Sequence, residues 1–231
     1  MITVVTYLWA HRGRTPTYRP AHVQLLARSV ARWLSVPHRV VCISDEPVKG
    51  VETHQNPAPQ FPARCYRRLW LFSPEARTLG DQILHLDLDL VICGPLDALV
   101  QRAADLVVYK APSIARRGYS LNPSVMTLRP GTQTDIWERF CQDPAKIIRL
   151  AEADGWWGSD QAVLSYLRRT TPVETVGDAD GVVSFRRIRH ERLTTLPPNT
   201  RIVSFHGKRT PWEPEIQTQH PWIRSAWEEA A

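Results

Sequence analysis

Residues 82–92, with the sequence QILHLDLDLVI, constrain the fold of this chain more than any other stretch. The run is rich in Ile, Leu and Val, and it contains two carboxylates one residue apart, Asp87 and Asp89. Such a run, bounded by Gly80-Asp81 and Cys93-Gly94-Pro95, predicts a central strand of a sheet that is covered on both faces. Period-2 geometry directs both carboxylates to the same side at the end of the strand. We therefore expect an α/β fold that presents this Asp-x-Asp at the edge where ligands bind.

The two carboxylates allow more than one interpretation. Burial of an unpaired charge is costly, so both need a partner. A hard cation such as Mg²⁺ or Mn²⁺ accepts oxygen ligands and keeps positions open for substrate phosphates. The same pattern also occurs in turns and at helix N-caps. It further resembles the nucleophile and general acid of the haloacid dehalogenase-like phosphatases, which would use Asp87 and Asp89.

Composition restricts the class of protein. The chain has 231 residues, of which 43% are apolar, and this suits one domain over residues 1–231. The net charge of +6 is spread over the chain, without a basic tail or a recognisable nucleic-acid module, so we expect no nucleic-acid partner. The widely spaced cysteines favour reduced thiols and a cytoplasmic location. No apolar run reaches the roughly 18 residues of a membrane span, so we expect no transmembrane segment.

The order of elements predicts a strand–helix–strand unit at the start of the chain. Residues 2–9 and 39–44 are rich in β-branched and apolar side chains, and a helix with apolar residues at helical spacing begins at Pro20 between them. A right-handed crossover with parallel strands is the default for such a unit. Further strands are predicted at residues 105–109, 124–128, 182–185 and 201–205. Further helices are predicted around residues 136–140, after Asp143, at residues 160–169 and near Pro221.

The helices predicted at residues 64–72 and 160–169 carry charged residues that also have an ordinary structural explanation. A helix over residues 64–72 would place Arg64, Arg67 and Arg68 on one face, either solvated or facing a diphosphate. Ser159 is a good N-cap for the helix that follows, where Asp160 would be a first-turn acid favoured by the helix dipole.

Five segments in order resemble the GT-A fold glycosyltransferases, in particular the family 8-like enzymes and their small bacterial relatives. The segment YRRLWLF at residues 66–72 resembles the Arg-bearing helix of this family, and ILHLDLD at 83–89 resembles its "LYLDxD" strand. NPSVM at 122–126 is similar to "NSGVM", and SDQ at 159–161 is similar to its "DQ" helix start. The close at 205–212, FHGKRTPW, resembles "HFxGxxKPW".

The resemblance implies a single GT-A-like domain with a Rossmann-like, mostly parallel sheet, helices on both faces and an Asp-x-Asp at a strand end. Residues 1–110 would form the nucleotide-binding half, and residues 111–231 the acceptor half with a closing C-terminal segment. The donor would be a nucleotide-sugar, specifically a UDP-sugar. The acceptor would be a carbohydrate, a lipid-linked molecule or a protein. Transfer would retain the anomeric configuration.

The resemblance also implies roles for residues. Mn²⁺ (or Mg²⁺) would be held by Asp87, Asp89 and His206. The donor would be bound by Arg67, Arg68, Asp87 and Lys208, and the sugar would be contacted near its anomeric carbon by Asn122, Asp160 and Gln161. Residues 206–212 would become ordered when donor and metal bind.

This chain departs from the family pattern at several positions. The closing motif is two residues shorter, and Thr210 stands where a Lys is expected, so Lys208 or Arg209 must substitute. Pro123 replaces a small residue after Asn122. In the haloacid dehalogenase-like phosphatases the strand with the nucleophile is normally the first strand of the chain, unlike residues 82–92 here. The only segment that could serve as their acidic loop is residues 177–181. A non-catalytic nucleotide-sugar-binding module is a third possibility.

Overall fold

The structure is a computed structural model that describes residues 1–9, 18–58, 60–61, 65–112, 118–205 and 209–228. The strands are β1 Ile2–Leu8, β2 His38–Ser44, β3 Glu52–Gln55, β4 Gln82–Leu86, β5 Leu90–Ile92, β6 Leu106–Pro112, β7 Tyr119–Leu128, β8 Glu174–Val176, β9 Val182–Ser184 and β10 Ile202–Ser204. The α-helices are α1 Pro20–Trp33, α2 Asp97–Val100, α3 Thr134–Gln142, α4 Pro144–Ala153, α5 Asp160–Leu167, α6 Phe185–His190, α7 Pro214–Gln219 and α8 Trp222–Glu228. The 3₁₀ helices are Cys65–Phe72, Pro74–Leu79 and Asp178–Asp180.

A seven-stranded sheet with the order β3-β2-β1-β4-β7-β6-β8 forms the centre of the protein. The pairs β3–β2, β2–β1, β1–β4 and β6–β8 are parallel. Strand β7 runs antiparallel to both of its neighbours, β4 and β6. The mostly parallel α/β sheet is therefore confirmed, and so is the parallel β1–α1–β2 unit. A second sheet of three strands has the order β5-β10-β9.

Alternation along the strands places apolar residues on both faces of the large sheet. In β1, Val4 packs with α1 residues such as Val23 and Leu26, while Val5 packs with the opposite core that includes Leu69 and Phe72. The core on the Val5 side of the sheet contains the 3₁₀ helix Cys65–Phe72 and helices α3 to α5. The core on the Val4 side contains α1 and β5. A third core lies between the small sheet and helices α6 to α8. The central strands are thus covered on both sides, as their unbroken apolar sequences predict.

The prediction of one strand over residues 82–92 is wrong. Strand β4 ends at Leu86, and Asp87 adds one more bond by donating its backbone N–H to Ser124 O at 2.9 Å. After a turn over Leu88 and Asp89, β5 pairs antiparallel with β10 in the second sheet. The apolar run is continuous because Leu88 and β5 are also buried, not because one strand continues. The Asp-x-Asp therefore lies between the two sheets, at the carboxyl end of β4.

Strand β7 begins five residues earlier than predicted and includes Pro123. The register between β6 and β7 shifts, so that Val108 pairs with Met126 while Tyr109 pairs with Asn122. Residues 123–125 are the extra residues of this bulge on the β6 side, where a proline without an N–H removes no ladder bond. The bulge accommodates Pro123, which is one of the departures from the family pattern.

The remaining differences concern short elements. Five of the short elements were not predicted from the sequence, because three to six residues are too few to show a period: β3, α2, β8, α6 and α7. The segment predicted as a helix over residues 64–72 is a 3₁₀ helix, Cys65–Phe72. The four cysteines, all of which lie in the described ranges, form no disulfide with one another. Within the described ranges, no helix combines the length and apolar character that a membrane crossing requires.

Candidate active site

A cleft of about 330 Å³ lies where the two sheets meet, at the carboxyl end of β4. Its floor and walls come from the Asp-x-Asp turn, β6, β7, the 3₁₀ helix Cys65–Phe72 and the starts of α5 and α6. The lining residues are Tyr18, Cys65, Arg68, Asp87, Asp89, Ala111, Pro112, Ser120, Asn122, Ser124, Gly158, Ser159, Asp160, Gln161, Arg186 and Phe205. The predicted site residues Arg68, Asp87, Asp89, Asn122, Asp160 and Gln161 thus line a single cleft.

Arg68 connects two of these acids across the cleft. Its Nη1 donates to Asp87 Oδ1, its Nη2 donates to Asp160 Oδ1 at 3.0 Å, and its Nε lies 2.8 Å from Asp160 Oδ2. The Arg68 side chain is 7% exposed and the Asp160 side chain 1% exposed. Burial raises the pKa of the Asp160 carboxyl, and Arg68 opposes this rise. The guanidinium therefore stabilises the ionised form of Asp160 in a site that otherwise disfavours charge.

Arg67 has a different environment from Arg68. It is also buried, but its side chain points to Asp45, with Nη1 to Oδ2 at 3.4 Å, and its Nε donates to Phe61 O at 3.1 Å. Arg67 is not among the residues that line the cleft. The solvated-face interpretation of the arginine stripe is wrong for both residues, because every residue from Tyr66 to Phe72 is buried. Arg64 lies outside the described residues.

Asp89 contacts Tyr18, whereas Asp87 contacts Arg68. Asp89 Oδ2 accepts a hydrogen bond from the Tyr18 hydroxyl at 3.0 Å. Burial, together with the neighbouring charge of Asp87, raises the pKa of Asp89 to about 7. The turn therefore concentrates negative charge that the surrounding protein compensates only in part, which is the situation that a bound cation relieves.

His85 supports the turn from within the core. The ring is fully buried, its Nδ1 donates to Pro123 O at 2.6 Å, and its Nε2 lies 3.9 Å from Asp87 Oδ1. Burial lowers the pKa of His85 to about 4, so the ring is neutral at pH 7. This contact joins β4 to the β7 bulge next to Asn122, whose Oδ1 accepts from the backbone N–H of Ser124 at 2.9 Å.

The start of α5 carries the other two predicted sugar-contacting residues. Ser159 precedes the helix as expected, but its side chain does not cap it; its Oγ donates to Asp160 Oδ1 at 2.9 Å. Gln161 Nε2 donates to Trp157 O at 3.3 Å. Gly158 has φ 122°, and a Cβ there would lie 2.3 Å from Gln161 Nε2. This position therefore favours glycine both for its backbone and for the space that Gln161 occupies.

The C-terminal segment reaches the first helix. His206 and Lys208 lie outside the described residues. Beyond them, the Trp212 ring stacks on His22 with centroids 3.9 Å apart, and it contacts the Tyr18 ring edge-on at 5.5 Å. The segment after position 208 is thus packed against the same Tyr18 that contacts Asp89.

Tyr18 and Arg186 are charged or hydrogen-bonding residues of the cleft that the sequence did not predict. Tyr18 lies between β1 and α1, and nothing in the sequence pattern distinguishes it. Arg186 begins α6 directly after a three-residue strand. Residues 177–181, the phosphatase-like acidic loop, lie elsewhere: Asp178 pairs with Arg187 and Asp180 with Arg102, and neither acid lines the cleft.

Within the described ranges, no cluster of three or more His, Cys, Asp or Glu residues could hold a metal ion. Asp87 and Asp89 provide a pair of carboxylates, and the third predicted ligand, His206, is outside those ranges. A metal site with two protein carboxylates suits Mg²⁺ or Mn²⁺ when phosphates complete the coordination shell.

No family model and no curated protein matches the sequence. Solved structures with the same fold do match. The galactosyltransferase LgtC, solved with donor and acceptor sugar analogues, has a TM-score of 0.66 and 13% identity over 98% of this chain and 95% of that one. The glycosyltransferase GlyE of Streptococcus pneumoniae TIGR4 has a TM-score of 0.64 and 16% identity over 100% of this chain and 63% of its own.

The bifunctional glycosyltransferase WbbM has a TM-score of 0.56 and 13% identity over 98% of this chain and 51% of its own. Sequence identity is low in all three cases, while nearly the whole of this chain is superposed. The chain therefore has the fold of the GT-A glycosyltransferases.

Proposed function

We propose that this protein transfers a sugar from a nucleotide-sugar, a UDP-sugar, to a carbohydrate, lipid-linked or protein acceptor, with a divalent cation and with retention of anomeric configuration. The observation that supports this most strongly is the Arg68 bridge between Asp87 and Asp160. It joins the end of β4 to the start of α5 in one cleft, on a fold shared with sugar-transferring enzymes. When a diphosphate leaves a sugar, negative charge develops on the leaving group and positive charge at the anomeric carbon, and charged groups in the cleft would stabilise both.

The donor set of the Asp-x-Asp turn fits Mn²⁺ or Mg²⁺. Asp87 and Asp89 would be ligands, and His206 is the proposed third ligand. The pKa of about 7 for Asp89 supports this assignment, because burial beside Asp87 leaves a carboxylate that gains from a cation. When bound, the cation would neutralise charge on the diphosphate leaving group.

The residues of this chain would divide the remaining work. Arg68 favours the ionised form of Asp160 against the effect of burial, and a buried carboxylate near the anomeric carbon would stabilise the positive charge that develops there. Asn122 and Gln161 would orient the sugar through its hydroxyl groups. Lys208, or Arg209 in its place, would neutralise the β-phosphate.

A neighbouring cleft of about 180 Å³ suits the nucleoside. It lies at the carboxyl ends of β1 and β2 and shares Tyr18 with the main cleft. Trp9 provides an aromatic side chain against which a base could stack, and Asp45 provides an acceptor at its wall. Arg67 pairs with Asp45, so its contribution to donor binding would act through the position of that carboxylate.

A thermal-shift panel of nucleotide-sugars, each with and without Mn²⁺, tests the proposal. A ligand that binds only the folded protein raises the unfolding temperature by mass action. We expect a shift with UDP-sugars that needs Mn²⁺ and that disappears in Asp89→Asn. Turnover by wild type and its loss in the variant would separate an enzyme from a non-catalytic binding module. Equal shifts with and without metal would contradict the proposed metal site.

A further inference from the structure

Arg186 is a cation of the main cleft that the proposed donor chemistry does not use. It lines the same cleft as Asp87, Asp89 and Asp160, and its side chain is exposed. Among the described residues, no carboxylate lies within ion-pair distance of it, although the cleft itself contains three. By contrast, its neighbour Arg187 bridges Asp178 at 2.8 Å and Glu191 at 2.9 Å. Arg186 thus has its charge available to a ligand.

The backbone at Arg186 is held firmly by buried neighbours. Its N–H donates to the Ser184 Oγ at 3.2 Å, and Ser184 is the last residue of β9 and fully buried. The preceding Phe185 ring stacks on Phe205 with centroids 4.0 Å apart and an interplanar angle of 18°. Since the main chain is fixed, only the Arg186 side chain loses freedom when it binds a ligand, which lowers the entropic cost of binding.

The acids of the cleft have partners of their own. The three acids and Arg68 lie around the Asp-x-Asp turn and the start of α5, where Arg68 and Tyr18 already contact them. The cleft also contains the uncharged Ser120, Asn122 and Ser124. Hydroxyl and amide groups of this kind bind sugar hydroxyls, whereas a guanidinium recognises two oxygens of a phosphate or a carboxylate.

We infer that the acceptor is an acidic saccharide, whose phosphate or carboxylate is bound by Arg186. This rests on the proposed function, because it treats the diphosphate as bound at the Asp-x-Asp turn and assigns the cation of Arg186 to the acceptor. Arg186 then selects the acceptor by its charge and has no role in breaking the donor bond.

The test compares glucose, glucose 6-phosphate and glucuronic acid as binding probes, by isothermal titration or saturation-transfer NMR. Each is measured with the protein alone and with Mn²⁺ and UDP. For wild type we expect one or both acidic sugars to bind at least about tenfold more tightly than glucose, as charge-assisted hydrogen bonds require. The two acidic probes distinguish a phosphate from a carboxylate acceptor.

The decisive variant is Arg186→Gln, with Arg189→Gln as its matched control. Arg189 lies on the same helix and is exposed, but it does not line the cleft, so both variants remove the same net charge. We expect the acidic preference to disappear in Arg186→Gln and to persist in Arg189→Gln. A preference that survives in Arg186→Gln, or is absent from wild type, overturns the inference.

A parallel titration with UDP separates the two proposals. If Arg186→Gln weakens binding of UDP as much as binding of the acidic sugars, Arg186 belongs to the donor site and the inference is wrong. If wild type does not bind UDP at all, the glycosyltransferase proposal fails, while the sugar preference measured without nucleotide still decides the role of Arg186.

Discussion

Replacement of Arg68 by Met tests whether the guanidinium holds the cleft together. The variant keeps the length of the side chain but leaves Asp160, 1% exposed, without the partner that contacts both of its oxygens. Breaking a buried ion pair by removal of one partner costs about 3–5 kcal/mol of unfolding free energy. We expect a loss in this range at pH 8.

The cost should depend on pH, because Asp160 can become neutral by binding a proton. Its pKa is already raised by burial, and it would rise further without Arg68. A carboxyl whose pKa is higher in the folded state binds more protons in that state, so stability falls as the pH rises from the unfolded value of about 3.9. The loss in Arg68→Met should therefore be smaller at pH 5 than at pH 8.

Urea unfolding at both pH values measures these differences, and two further variants control them. Arg187→Met removes an arginine that also bridges two carboxylates, but at the surface, where the loss is under about 1 kcal/mol. Arg68→Met/Asp160→Asn removes the stranded charge and should be more stable than Arg68→Met alone. The reasoning is refuted if Arg68→Met costs no more than Arg187→Met, or if the double variant recovers nothing.

Three further predictions concern the metal, the C-terminal segment and an ion pair remote from the cleft. Asp89→Asn should weaken Mn²⁺ binding at least about tenfold in a titration monitored by electron paramagnetic resonance, while the fold is kept; unchanged affinity would remove Asp89 from the ligands. Trp212→Ala removes the ring contacts with His22 and Tyr18, each of which contributes about 0.5–1.5 kcal/mol. The backbone amides of residues 209–213 should therefore exchange hydrogen faster in the variant. Equal protection in both proteins would contradict the packing of this segment against α1. The hydrogen bond from Arg168 lowers the pKa of Asp135, so Asp135→Asn should reduce the free energy of unfolding by about 0.5–1 kcal/mol at pH 7. Urea unfolding should show that this loss shrinks below about pH 4, where Asp135 becomes protonated. A loss that does not depend on pH would contradict the pairing.

The sequence predicted the fold class and brought together residues that line one cleft, but it did not predict how the strands around that cleft connect. Asp87 and Asp89 stand out because two charges interrupt a buried apolar run, and Asp160 and Gln161 because they begin a helix after a loop. Their meeting in one cleft could be expected from the carboxyl edge of the sheet. The contact between Arg68 and Asp160 could not, because it spans 92 positions and depends on how the 3₁₀ helix packs against α5.

The errors have the same physical origin. Residues 90–92 are as apolar as residues 83–86, and only pairing with β10, over a hundred residues further along the chain, places them in a different sheet. The burial of Arg67 and Arg68 depends likewise on distant carboxylates at Asp45 and Asp160, which no local pattern contains. Local sequence predicts burial and period, whereas long-range pairing selects the sheet and the ionic partners.

Proton NMR of the sugar released from UDP-sugars tests the central claim most directly. The protein is incubated with each UDP-sugar and Mn²⁺, with and without a saccharide acceptor, beside an Asp89→Asn sample. We predict Mn²⁺-dependent release of UDP in wild type, an initial anomeric signal with the donor's configuration, and loss of both in the variant. Absence of turnover with every nucleotide-sugar, or undiminished turnover in Asp89→Asn, would contradict sugar transfer at this site.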